Sequence, residues 1–168
     1  MEKVSKDVVE KTFTNLMNLD MKETKKMMNK MIDEQPFILT YLAALVEDDE
    51  DFTEEGKDIL FTLTMLIWQS MLSVRPDLPT VPMETIEEME EKNLKILDSM
   101  EDISDDEFFE KTLQILDNYP QTELLSFISE YLMENENMVL DEDGLIFIYL
   151  KIIIDSFQKT SEIQEMNF

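Results

Sequence analysis

Apolar residues recur at three- and four-residue steps along most of this chain, and short polar breaks interrupt them at regular intervals. The pattern predicts an all-α protein of about eight helices, over 3–18, 21–34, 36–47, 53–73, 83–100, 105–118, 120–134 and 141–160. Several breaks carry helix-start chemistry. Asp20-x-x-Glu23 and Ser104-x-x-Glu107 read as capping boxes, in which the first side chain accepts from the backbone N–H three residues on. Pro36 and Pro120 suit first helical positions, where a missing N–H costs nothing. The segments "ILFTLTMLIW" and "LIFIYLKIII" could pass for strands on β-branched content alone. Their length and the caps around them argue for helix. In the first, Asp58, Thr62, Gln69 and Ser73 leave one narrow polar stripe. Lys151, Asp155, Gln158 and Glu162 do the same in the second, so both helices are expected to be buried on most sides.

The breaks also repeat. The only two glycines, Gly56 and Gly144, each follow a capping-type residue (Thr53, Asp141) and two acids and precede long apolar runs, 88 residues apart. The two capping boxes and the pair Pro36 and Pro120 are 84 apart, and Tyr41-Leu42 matches Phe127-Ile128 at 86. Two duplicated four-helix halves are therefore expected, at 1–73 and 83–168, joined by the proline-rich linker 74–82, "VRPDLPTVP". About 40 residues per helical hairpin is similar in period to HEAT repeats. Such halves can stack as a short solenoid or pack as paired bundles in one compact unit.

Composition narrows the chemistry. The 168 residues include no cysteine and no histidine, which removes thiol nucleophiles, disulfides, imidazole bases and the usual zinc ligands. The net charge is −25, unevenly spread. Residues 1–30 hold seven lysines against five acids, whereas residues 31–168 hold 34 acids against seven basic residues. Direct nucleic-acid binding and attachment to an anionic membrane are disfavoured on that surface. The start, "MEKVSKDVVEKTF", lacks an apolar stretch of signal-peptide length. Leu145–Ile154 is the longest apolar candidate, contains Lys151, and falls short of the roughly 18 residues that span a bilayer. A soluble, cytoplasmic protein is expected.

Candidate sites are few. "LDEDGLIFIYL" hints at a calcium loop, but an EF-hand with Gly144 at position 6 would start on Val139 and end on Leu150, neither a ligand. With Gly56 in that place, Thr62 stands where the bidentate glutamate belongs. Both glycines read as helix-start punctuation, and no metal or cofactor is expected. The run "EDDEDFTEE", residues 47–55, reads as a solvated acidic loop. Lys151, inside an apolar run, could serve as a buried nucleophile, but a salt bridge to Asp155 one turn later is the simpler expectation. Trp68 reads as core.

The predicted second helix is more suggestive. Met21, Met27, Met28 and Met31 interleave with Lys22, Lys25, Lys26 and Lys30, after Met17 in the helix before. Methionine adapts to varied apolar shapes, so a methionine-lined, lysine-rimmed surface could receive a partner helix. The alternative is that these methionines fill the core. The leading expectation is a non-enzymatic protein that binds another protein, with no catalytic residues. A second expectation is an acidic decoy for a basic nucleic-acid-binding protein. An enzyme using carboxylates or Lys151 comes third. A homodimer is compatible with the exposed ends of a short solenoid.

Overall fold

A computed structural model describes residues 1–47, 52–135 and 140–167, without the side chains of residues 140 and 141. Eight α-helices and no strand occur among the described residues. They are α1 (Lys6–Met17), α2 (Met21–Glu34), α3 (Pro36–Glu47), α4 (Glu54–Val74), α5 (Met83–Asp98), α6 (Asp105–Leu116), α7 (Thr122–Glu134) and α8 (Leu140–Met166). None of them is long and apolar enough to cross a membrane.

The caps act where their residue types place them. Asp20 accepts from the Glu23 N–H at 2.8 Å, Ser104 from Glu107 at 3.3 Å, and the Thr53 hydroxyl from Gly56 at 3.0 Å. Each satisfies a backbone donor that the first helical turn leaves unpaired. With glycine so scarce, Asp102 and Asn118 supply the left-handed backbone, at φ 56° and 62°, after α5 and α6.

Five helix limits differ from the sequence pattern by two residues or more. α1 begins at Lys6, because Ser5 caps it and residues 2–4 are held as a lead-in segment. α7 begins at Thr122, with Pro120 in the preceding turn, because Gln121 is buried with its side chain on that lead-in. α5 and α6 stop two residues early, at Asp98 and Leu116, where the chain turns towards those left-handed residues. α8 runs six residues past 160 because its polar end is anchored: Arg75 donates to the Ser161 carbonyl at 3.4 Å, to Glu165 at 3.0 Å, and to Gln164.

α4 and α8 cross at the centre, and their apolar residues form the core. Leu60, Leu63, Leu66, Ile67 and Trp68 of α4 are buried, as are Ile148, Leu150, Ile152 and Phe157 of α8. Burial of each such side chain contributes about 1.5–3 kcal/mol. α1 packs on α4 and α7, while α5 packs on α8 and α3. α2 lies chiefly on α3, and α6 chiefly on α7, which makes them the outer helices. Across the molecule, Tyr41 of α3 donates to Glu90 of α5 at 2.6 Å, and Phe127 of α7 meets Phe13 of α1 with ring centroids 5.1 Å apart.

Two buried glutamines tie distant segments together. The Gln35 side chain donates to the Pro79 carbonyl and accepts from the Val81 N–H, both at 3.0 Å. Gln121 donates to the Glu2 carbonyl at 3.1 Å and accepts from the Val4 N–H at 2.9 Å. In each case one amide spans a carbonyl and the N–H two residues later. The segment held is the extended lead into α5 in the first case and into α1 in the second.

The glycines are explained by close neighbours. A Cβ on Gly56 would lie 1.8 Å from the Glu142 carboxylate, which accepts from the Thr53 N–H at 2.8 Å and its hydroxyl at 2.9 Å. A Cβ on Gly144, inside α8, would lie 3.0 Å from the Phe108 ring. Neither glycine has a positive φ. Glu142, two residues before Gly144, thus holds α8 onto the start of α4, in a helix and not an EF-hand loop.

Candidate functional site

Three places carry chemistry: the methionine–lysine helix α2, a buried polar cluster around Lys151, and a cleft where α6, α7 and α8 meet.

On α2, Met31 is buried in the core and Met27 and Met28 are half-buried against it, whereas Met21 is 91% exposed. Lys22, Lys25 and Lys26 are exposed. Lys30 turns back to the protein, 3.8 Å from Glu34 and 5.9 Å from the Trp68 ring centroid. Met27 lines a shallow hollow of about 110 Å³ with Leu16, Leu19 and Gln69. The methionines therefore divide between core and surface, and Lys22, Lys25 and Lys26 form an outward cationic face.

Lys151 is only 8% exposed. Its ammonium donates to Asn93 Oδ1 at 2.7 Å and to Asp155 Oδ2 at 2.8 Å, and lies 5.2 Å from the Tyr119 ring centroid. Asn93 also donates to Asp155, at 2.9 Å, and the Tyr119 hydroxyl donates to the other Asp155 oxygen. Burial, followed by the Asp155 charge and hydrogen bond, pushes the Tyr119 hydroxyl well above its usual range, so it stays a donor. The salt bridge to Asp155 forms, but Lys151 does not lie on a wet stripe. Tyr119, from the turn before α7, covers it.

The cleft is built from helical spacing. Asp105, Phe108 and Phe109 come from α6, Leu132 and Met133 from α7, and Asp143 and Phe147 from α8, around a cavity of about 220 Å³. Phe109 is 49% and Met133 44% exposed, so the apolar wall continues to the surface. Leu113, one turn after Phe109, extends it along α6. No family model, curated protein or solved structure matches the chain. Its chemistry is therefore read from its own residues.

Asp143 is the unusual group in the cleft. One of its oxygens, Oδ1, is buried without a hydrogen-bond partner among the described residues. Burial first, and the Glu142 charge second, push its carboxyl from 3.8 to about 7. Asp105 adds a further carboxylate from α6, and α7 contributes no charged residue to the lining. Perturbed carboxyls in clefts mark candidate functional positions.

A pKa raised on folding means that the folded chain holds a proton the unfolded chain releases. The stability this confers is present below about pH 4 and is lost as pH rises towards 7. Asp143→Asn is therefore expected to stabilise the protein at pH 8, by about 1–2 kcal/mol once solvent screening of the part-exposed side chain is allowed for. The gain should vanish near pH 4, as read by urea unfolding at the two pH values.

Sequence reasoning passed over Phe109 and Met133 and read Asp143 only as part of a helix start. One signal was available: Phe108 and Phe109 are adjacent, and on a helix with a single apolar stripe two neighbours about 100° apart do not both point into it. The acidic run 47–55 falls partly outside the described residues, as does the Asp141 side chain proposed as a cap. Among the described residues, no three carboxylates converge in a way that could hold a metal ion.

Proposed function

We propose that this is a non-enzymatic protein that binds another protein, built from two duplicated four-helix halves. Apolar exposure on the outer helices carries the binding reading. Met21 and Ile32 on α2, Phe109 and Leu113 on α6, and Met133 beside them are all exposed. Exposed large apolar side chains on outer helices are what docking sites offer. The exposed Lys22, Lys25 and Lys26 rim the α2 face, while α6 opens with Asp105, Asp106 and Glu107, so the two surfaces favour partners of opposite charge. The full engagement of Lys151 supports a non-enzymatic reading, since an ammonium held by two acceptors and a ring face is a poor nucleophile.

The duplication is supported by the reciprocal glutamines. Gln35 and Gln121 are 86 residues apart and hold segments, 79–81 and 2–4, that are 77 apart. The starts of α3 and α7 are also 86 apart, and those of α1 and α5 are 77 apart. On this reading the counterpart of Pro36 is Thr122, and each half clamps the lead-in of the other. The helix pairs α2–α3 and α6–α7 are then the equivalent hairpins.

Native affinity purification with mass spectrometry tests the function, on the intact chain and on a variant with Lys22, Lys25, Lys26 and Lys30 changed to Glu. A partner lost in the variant is expected if α2 docks it. A basic nucleic-acid-binding protein retained by the variant would move the contact to the acidic remainder, as a decoy requires. No partner above background, with no self-association, would remove the binding reading.

A further inference from the structure

The cleft between α6, α7 and α8 has the chemistry to choose its occupant, and the inference rests on the proposed binding function. We infer that it receives an apolar anchor side chain from a basic segment of the partner, with a lysine or arginine beside the anchor meeting Asp143 and Asp105.

The walls select the anchor. Phe108, Phe109, Leu132, Met133 and Phe147 present aromatic and thioether surface, and Phe109 and Met133 reach the solvent edge. A volume of about 220 Å³ lies below the range typical for whole small-molecule ligands, which begins at about 300 Å³. It suits one inserted side chain, as when an amphipathic helix lays its apolar face into a groove.

The polar atoms select the neighbour. Asp143 Oδ1 is buried without a donor, so an occupant that brings one satisfies it. A cationic donor does so best, because charge-assisted bonds are about twice as strong as neutral ones. The cleft lining contains no lysine or arginine to compete. The N-termini of α6 and α8 bring about half a positive charge each, but Asp105, Asp106, Glu107 and Glu142 outweigh them even before Asp143 is counted. An acidic segment is repelled, and the net charge of −25 steers basic partners inward. The raised pKa of Asp143 supports the same reading, since a cation beside it would release its proton on binding.

The probe is a fluorescently labelled amphipathic peptide of Leu, Lys and Ala with a single Phe on its apolar face, titrated with the intact protein and read by anisotropy. Saturable binding is expected at physiological salt, strengthening from pH 6 to pH 8 as Asp143 ionises. Asp143→Asn and Phe109→Ser should each weaken it by about tenfold, the loss of one charge-assisted or one anchoring contact. Glu87→Gln, which removes the same charge from an exposed position on α5 outside the lining, should change it little. Asp143→Asn is expected to fold at least as stably as the native chain, so its loss of binding would report the site.

No binding, equal binding by Asp143→Asn and the native chain, or equal binding of a peptide with Glu for every Lys would overturn the inference. Partner capture separates this from the broader reading. A cellular partner held equally by the Asp143→Asn and Phe109→Ser variants would overturn the cleft as its site and leave the binding function standing.

Discussion

Lys151→Met is expected to lower the unfolding free energy by about 3 kcal/mol. The cost is more than one ion pair. Removing the ammonium leaves Asn93 Oδ1 without its donor and takes the counter-charge from Asp155, both inside the packing of α5 on α8. Breaking one side of a buried pair costs about 3–5 kcal/mol, because the remaining charge keeps its desolvation penalty. Asp155 still has Asn93 and Tyr119 as donors, which places the loss at the low end. A urea midpoint that falls with an unchanged denaturant slope would show this as lost stability and not a looser native state. An unchanged midpoint would mean that water reaches Asp155 when the lysine goes.

Gln35→Leu and Gln121→Leu form the second pair of large effects. Each removes a side chain that satisfies one part-buried carbonyl and one buried N–H at once. Leaving such groups unpaired costs about 1–3 kcal/mol apiece, so each variant should lose about 2–4 kcal/mol. The two clamps share no partner, so the double variant should lose close to the sum. The duplicated reading makes a further demand: the two single losses should agree to within about 1 kcal/mol. Hydrogen exchange adds a local test, since the Val81 amide should lose protection in Gln35→Leu and the Val4 amide in Gln121→Leu. Exchange unchanged at both amides would mean that the lead-ins are held by packing alone.

Much of the helical frame was legible because its punctuation is local. Asp20, Thr53 and Ser104 announce helix starts by chemistry that acts within three residues, and all three cap as expected. The burial of Trp68 and of the apolar runs in α4 and α8 followed from periodicity. The misplaced start of α7 has a physical reason. Pro36 and Pro120 are equally good first-turn residues locally, but Gln121 is committed to residues 2–4, more than a hundred positions away. The Lys151–Asp155 bridge was legible one turn apart, but its cover by Tyr119 was hidden in the same way, because the turn before α7 reaches α8 only in the folded chain. The glycines were read as helix-start punctuation, and in the fold they also make room for Glu142 and Phe108, neighbours from distant helices that no local pattern shows. The cleft was the least legible feature, since its walls come from three helices and its key carboxyl is one of 39 acids.

The most direct measurement is sedimentation velocity of the intact chain, fused at its C-terminus to a fluorescent protein and followed at tracer level in a native extract. The account predicts a boundary faster than that of the purified fusion, returned to the free rate by excess unlabelled chain, as saturable binding requires. Sedimentation at the free monomer rate, at every extract concentration tested, would contradict it.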